Sequence, residues 1–327
     1  MYIYNNLYKK LSSDSKNPIS ENYFNSKILN STIINYIIAS HNECNNSFDV
    51  CSTKYSNIPK HLDIFTYSFP CQDLSIQGKQ RGMSKESKSR SSLLWEIERI
   101  FIDLSKNYSV EEMPKYLLME NVSQVAHKKN INELKTWEQQ LDNLGYRSKL
   151  YILNARDFGL PQNRVRAFLL SISKYWMDKT NFHFPNFQNF KKNKVIKDIL
   201  VKNISSDLFL DHLYKYEMSN LTKTKSNIQR QTLINYTNFN CENYIYSING
   251  IGPTLTATGA NSRIKIFDNN KIRYLSNLEN FLYMGFDKKD YQKVIDCNLI
   301  TPQKQTFLCG NSIAVPILEE IFRSLKF

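Results

Sequence analysis

No glycine occurs before Gly78 in this 327-residue chain, and only nine occur in all. A glycine-rich nucleotide loop at the front is thereby excluded, because a tight strand-to-helix turn that cradles a ligand needs residues without a Cβ. The six cysteines (Cys44, Cys51, Cys71, Cys241, Cys297 and Cys309) include no C-x-x-C pair. Neither a zinc site nor a disulfide framework is indicated. No apolar run approaches the ~20 residues of a membrane span, and Met1-Tyr2-Ile3-Tyr4-Asn5-Asn6 has no secretory character. The expectation is a cytoplasmic protein with no metal and no membrane partner. Acidic residues are also in short supply, 30 against 43 lysines and arginines, for a net charge of +13. That excess suits a polyanion, whose condensed counterions are released on binding. A solvated surface rich in lysine explains it equally well.

What is present is a patterned core. Hydrophobic residues make up 41% of the chain, enough for a full core and two domains. Residues 1–48 are polar, rich in asparagine and weakly patterned, with a short helix expected over 31–40. From Asp49 the periodicity sharpens. Residues 62–68 read as a buried strand, and Pro70 stops it by removing a donor and fixing φ. Leu93, Leu94, Ile97, Phe101 and Leu104 share one face of a helix, and 116–119 read as the next strand. A second amphipathic helix over 132–144 ends at Gly145, and strands follow at 149–153 and 166–172. This β-α-β-α-β order argues for an α/β fold with a doubly wound, mostly parallel sheet.

Beyond Ser173 the texture turns irregular up to about Leu299 and reads as a second domain. Ser312 is the expected cap of a last helix with Pro316 in its first turn and Ile317, Leu318, Ile321, Phe322 and Leu325 on one face. That helix suits the first sheet. The expected domains are 1–175 completed by 305–327, and 176–304.

Four signals stand in order: Phe69-Pro70-Cys71-Gln72, Met119-Glu120-Asn121-Val122, Gln162-Asn163-Arg164-Val165-Arg166 and Gly310-Asn311-Ser312. Each alone is weak. Together they resemble the DNA cytosine-5 methyltransferase family, from about Asp49 to the C-terminus, and in 66–75, 113–122 and 248–266 its bacterial CpG-specific members.

The chemistry is coherent in its own terms. Cytosine C5 is a poor nucleophile until a thiolate adds at C6, and covalent catalysis divides that hard step into easier ones. Cys71, just past a strand end, is the candidate nucleophile, and Glu120 the group that holds the ring N3 proton and accepts from the N4 amine. Arg164 and Arg166 suit cytosine O2 and the orientation of Glu120. In a duplex the base must be flipped out. The resemblance implies the same roles for these residues, with double-stranded DNA as partner and S-adenosylmethionine as methyl donor. It further implies a target-recognition region containing Thr256, Thr258 and Arg263, within a segment 247–263 that could otherwise be a hairpin loop. Gln72, Ser75 and Gln77 are expected to touch DNA too, with Gln72 first and Gln77 second to fill the gap left by the flipped base. Arg273 and Glu279 resemble a further family motif.

The chain departs from the family at the cofactor. Family members open with a Phe-x-Gly-x-Gly loop and an acidic ribose ligand, neither of which this sequence contains. Asp49, Pro70, Asn311 and Ser312 are the cofactor-binding candidates that remain. The expectation is an N-terminally incomplete, Rossmann-like methyltransferase that needs a separate N-terminal fragment. Two other readings stay open: a DNA-binding remnant without catalysis, and a transfer-RNA cytosine-5 methyltransferase.

Overall fold

The computed structural model describes residues 18–29, 31, 33–44, 49–70, 93–188, 190 and 192–327. The chain divides into two compact units, Met1–Tyr151 with Ala167–Phe182, and Ile152–Arg166 with His183–Phe327.

In the first unit, helix α1 (Ile33–Cys44) starts two residues later than the short helix expected over 31–40 and runs four residues beyond it. Strand β1 (Ile64–Tyr67) is followed by α2 (Leu94–Asn107), β2 (Tyr116–Val122) and α3 (Ile131–Asn143). Strands β3 (Tyr146–Asn154) and β4 (Val165–Ser173) precede the short helix α4 (Lys174–Thr180). The sheet order is β1-β2-β4-β3. β1 runs parallel to β2 with Ile64 opposite Tyr116 and Tyr67 opposite Met119, as the helical crossover between them requires.

The core follows the periodicity. Leu94, Ile97, Phe101 and Leu104 of α2 and Leu134, Trp137 and Leu141 of α3 are buried with Leu117 and Met119 of β2. Each such side chain stabilises the fold by about 1.5–3 kcal/mol. Trp137 Nε1 donates to the Tyr67 hydroxyl at 2.8 Å, which satisfies both polar groups inside that core. Burial pushes the Tyr67 phenol well up from its ordinary value, against the opposing Trp137 bond. Gly145 ends α3 with φ +86 and donates to Asp142 O, the left-handed stop expected there.

The second unit has its own sheet, from β5 (Thr222–Lys223), β6 (Gln229–Thr232), β7 (Tyr244–Ser247), β8 (Lys265–Asp268) and β9 (Lys271–Tyr274), in sequential order. Strands this short carry too few alternations to register as a pattern, which accounts for the irregular texture of the sequence. β7 and β8 are parallel, Tyr246 opposite Ile266. The segment 248–264 joining them is therefore a crossover, and the hairpin alternative is excluded, because a hairpin turn joins only antiparallel strands.

Four helices follow: α5 (Asn277–Met284), α6 (Lys288–Asp296), α7 (Pro302–Asn311) and α8 (Val315–Arg323). Helix α7 carries no apolar stripe at helical spacing and so has no periodic signal in the sequence. Ser312 does not cap α8, whose cap position is Ala314. It closes α7 instead, its hydroxyl donating to Cys309 O at 2.7 Å. Residues 305–327 group with the second unit in this division. No helix among the described residues is long and apolar enough to cross a membrane.

Candidate active site and nucleic-acid interface

In the first unit the chain leaves β1 at Tyr67 and continues through Phe69, 4% exposed, to the half-buried Pro70. Asn121, 2% exposed near the end of β2, donates from Nδ2 to Phe69 O at 3.0 Å, and its Oδ1 accepts from Val122 N at 2.8 Å. One buried amide thus fastens the backbone just before Cys71 to the Glu-Asn-Val end of the neighbouring strand. A buried amide left without these partners would cost about 1–3 kcal/mol. In the sequence Asn121 is marked only by its place in the motif, and nothing local signals this bond. Glu120, next to it, is half-buried in β2. Cys71, Gln72, Ser75 and Gln77 lie outside the described residues.

Asp49, also in this unit, caps the turn Val50–Ser52, its Oδ1 accepting from Cys51 N at 3.0 Å. Arg99 of α2 holds that turn by donating to Val50 O at 3.1 Å and Thr53 O at 3.0 Å. Burial first, and then the Asp49 charge, pushes the Cys51 thiol up. The Asp49 side chain is exposed.

In the second unit three distant stretches meet. Pro161 O accepts from Gly252 N at 2.8 Å, and Gly252 O accepts from Asn163 N at 3.0 Å. Fully buried Gln162 receives Leu255 N on Oε1 at 2.9 Å and donates to Tyr283 O at 3.0 Å. Arg164, 3% exposed, donates to three carbonyls: Leu255 O at 2.8 Å, Gly310 O at 3.1 Å and Ser312 O at 2.7 Å. Gly310 is required by close approach, since a Cβ there would stand 2.2 Å from Ala257 N and 2.3 Å from Thr256 C. The Gln-x-Arg motif therefore clamps the Thr254-Leu255-Thr256 segment against Gly310-Asn311-Ser312. Arg166 donates to Val165 O at 2.8 Å.

The crossover presents its own groups. Thr256 Oγ1 donates to Thr258 O at 2.8 Å, which leaves the lone pairs of its oxygen as acceptors, while Thr258 and Arg263 are exposed. Beside it a second turn, absent from the sequence reading, is built on Asn243, whose amide accepts from Thr237 N at 3.1 Å and donates to Thr237 O at 2.8 Å. That turn holds Phe239 at 76% exposure. A lone exposed aromatic in an asparagine-rich stretch gives no periodic signal. Arg273 and Glu279 form a bidentate pair at 2.8 and 2.9 Å, 1% and 0% exposed. Glu279 also accepts from Ser276 N and Val201 N, so this pair holds the framework. Among the described residues no group of three His, Cys, Asp or Glu could hold a metal ion.

The motif-bearing ends of β1 and β2 lie on the four-stranded sheet of the first unit, and the fold is of the Rossmann-like class. The Dnmt2 methyltransferase of S. pombe has a TM-score of 0.57 at 18% identity, over 85% of this chain and 84% of that one. A profile of the C-5 cytosine-specific DNA methylases matches residues 11–326. The chain is 46% identical over 315 residues to the orphan methyltransferase M.SssI of Spiroplasma monobiae, spanning 96% of this chain and 78% of that protein. To the type II methyltransferase M.HhaI of Haemophilus parahaemolyticus it is 31% identical over 281 residues, spanning 84% and 78%. The chain belongs to the DNA cytosine-5 methyltransferase family.

The candidate cofactor residues fit S-adenosylmethionine only in part. Asp49 offers an exposed carboxylate, and Asn311 is exposed at the end of α7. The Ser312 hydroxyl and carbonyl are both engaged within the second unit. No described helix begins at a glycine-rich loop, so donors for the amino-acid end are lacking among these residues.

Proposed function

We propose that this chain methylates C5 of a flipped cytosine in duplex DNA, at CpG. Cys71 adds to C6, Glu120 holds the N3 proton and the N4 amine, and Arg166 contacts O2 while Arg164 positions the segments around it. The thiol must ionise to react, and its ordinary pKa near ~8.5 leaves only a few per cent as thiolate at neutral pH. When bound, S-adenosylmethionine supplies the electrophilic methyl group. Asp49, Pro70, Asn311 and Ser312 would hold it, and Gln72 fills the space the flipped base leaves, with Gln77 in reserve. Residues 1–175 with 305–327 form the catalytic domain, and 176–304 read the DNA through Thr256, Thr258 and Arg263. Ser75 contacts the backbone, and the exposed Phe239 ring suits stacking on a base.

The observation that carries this reading is the Asn121 bond to Phe69 O, which ties the approach to Cys71 to the strand of Glu120. The sequence lacks a glycine loop, so residues 1–327 need a segment bearing one, supplied in cis or in trans. Trapping on a duplex with 5-fluorocytosine, with and without such a segment, tests both statements. No covalent adduct with the segment present would refute the catalytic assignment and favour a non-catalytic DNA-binding role.

A further inference from the structure

Glu242 serves two cations with one carboxylate. Its Oε1 lies 2.7 Å from an Arg263 terminal nitrogen and its Oε2 lies 2.9 Å from Lys265 Nζ. Lys265 also donates to the Glu242 carbonyl at 2.7 Å, and its ammonium sits 5.8 and 5.9 Å from the ring centres of Tyr236 and Tyr274. Burial works to raise the Glu242 carboxyl, but Lys265 and Arg263 overcome it and hold the group below its ordinary value.

The two cations are unequal. The Lys265 side chain is 2% exposed and has no solvent to return to, whereas Arg263 is 60% exposed. Lys265 therefore fixes the carboxylate in place, and Arg263 can leave it for another anion without leaving a buried charge behind. Arg263 belongs to the crossover and Glu242 to the turn that carries Phe239, so the exchange takes place between two neighbouring turns of one unit.

We propose that Glu242 is a positioning residue that competes with DNA phosphate for Arg263 and so restrains binding to DNA of arbitrary sequence. The proposal rests on reading 176–304 as the DNA-recognition region. Glu242 touches no reacting atom. Its effect passes through Arg263.

The test is the affinity of the full chain for a random-sequence duplex across a salt series, in a two-by-two set of Glu242→Gln and Arg263→Ala. Glu242→Gln should tighten binding roughly two- to fivefold, the scale of an exposed ion pair. It should also steepen the salt dependence by about 0.9, one further phosphate contact. With Arg263→Ala in the background both changes should vanish. Equal gains in the two backgrounds would mean that only net charge matters, and no gain in either would mean no competition; either result overturns the proposal. Should Glu242→Gln fail to fold, Glu242→Asp keeps a carboxylate for Lys265, draws it back from Arg263, and should give the same Arg263-dependent gain. A parent chain that binds no duplex even at low salt refutes the DNA-recognition reading, and the proposal with it. DNA binding without the coupling refutes the proposal alone.

Discussion

Replacing Gly310 by alanine should be among the most damaging single-methyl changes in this protein. The new Cβ would stand 2.2 Å from Ala257 N, 2.3 Å from Thr256 C and 2.5 Å from Ala257 Cα. Relaxed carbon contacts lie near ~3.5–4.0 Å, so one segment must retreat by roughly 1 Å. All three obstacles are backbone, and no side-chain rotation relieves them. Retreat also draws Gly310 O or Leu255 O away from Arg164, which bonds both. Overpacking costs about 1–3 kcal/mol, and losing one charge-assisted bond about 1.5–3 kcal/mol. A total of roughly 2.5–6 kcal/mol follows, or a fall in Tm of about 5–24 °C at ~2–4 °C per kcal/mol. Scanning calorimetry measures it against Gly145→Ala, where nothing lies within 4 Å and only the left-handed φ of +86 is strained. That control should lose only about 1–2 kcal/mol. If Gly310→Ala melts no lower than Gly145→Ala, the clamp around Arg164 does not exist as described.

Cys71→Ser should abolish methyl transfer and leave DNA binding intact, and Glu120→Gln should slow turnover by ~10² to 10⁴; single-turnover assays with the glycine-loop segment present decide both, and ordinary turnover by the serine variant would end the nucleophile assignment. Residues 1–327 alone should bind S-adenosylmethionine weakly, and tight calorimetric binding by the lone polypeptide would contradict the reading of its cofactor residues. Tyr283→Phe removes a buried 2.8 Å bond to Pro253 O and should cost about 1–3 kcal/mol in urea unfolding. Burial pushes the Cys309 thiol up to about 12 from 9.0. Native protein should therefore resist alkylation there, and because the unfolded chain loses that proton first, stability should fall as pH rises from about 9 to 12; a flat profile across that window for parent against Cys309→Ala would refute it.

Local chemistry was legible in the sequence, and long-range partnership was not. The spacing of Leu94, Ile97, Phe101 and Leu104 is itself the geometry of one helical face, and Gly145 at a positive φ is a property of glycine. The family motifs are likewise runs of adjacent residues, which is why Glu120 and the arginine pair could be singled out. Whether segment 247–263 is a hairpin or a crossover depends on the direction of β8 beside β7, which no residue in the segment encodes. Ser312 has the residue type of a helix start, yet it closes the helix before it, where Arg164 takes its carbonyl from 148 positions away. Arg164 reads in the sequence as a ligand for a base, and nothing in the motif announces that its terminal nitrogens also donate to three backbone carbonyls. A sequence specifies which groups can donate and accept. Only the packed chain decides which of them are already satisfied, because a buried donor takes whatever acceptor the tertiary fold brings within about 3 Å.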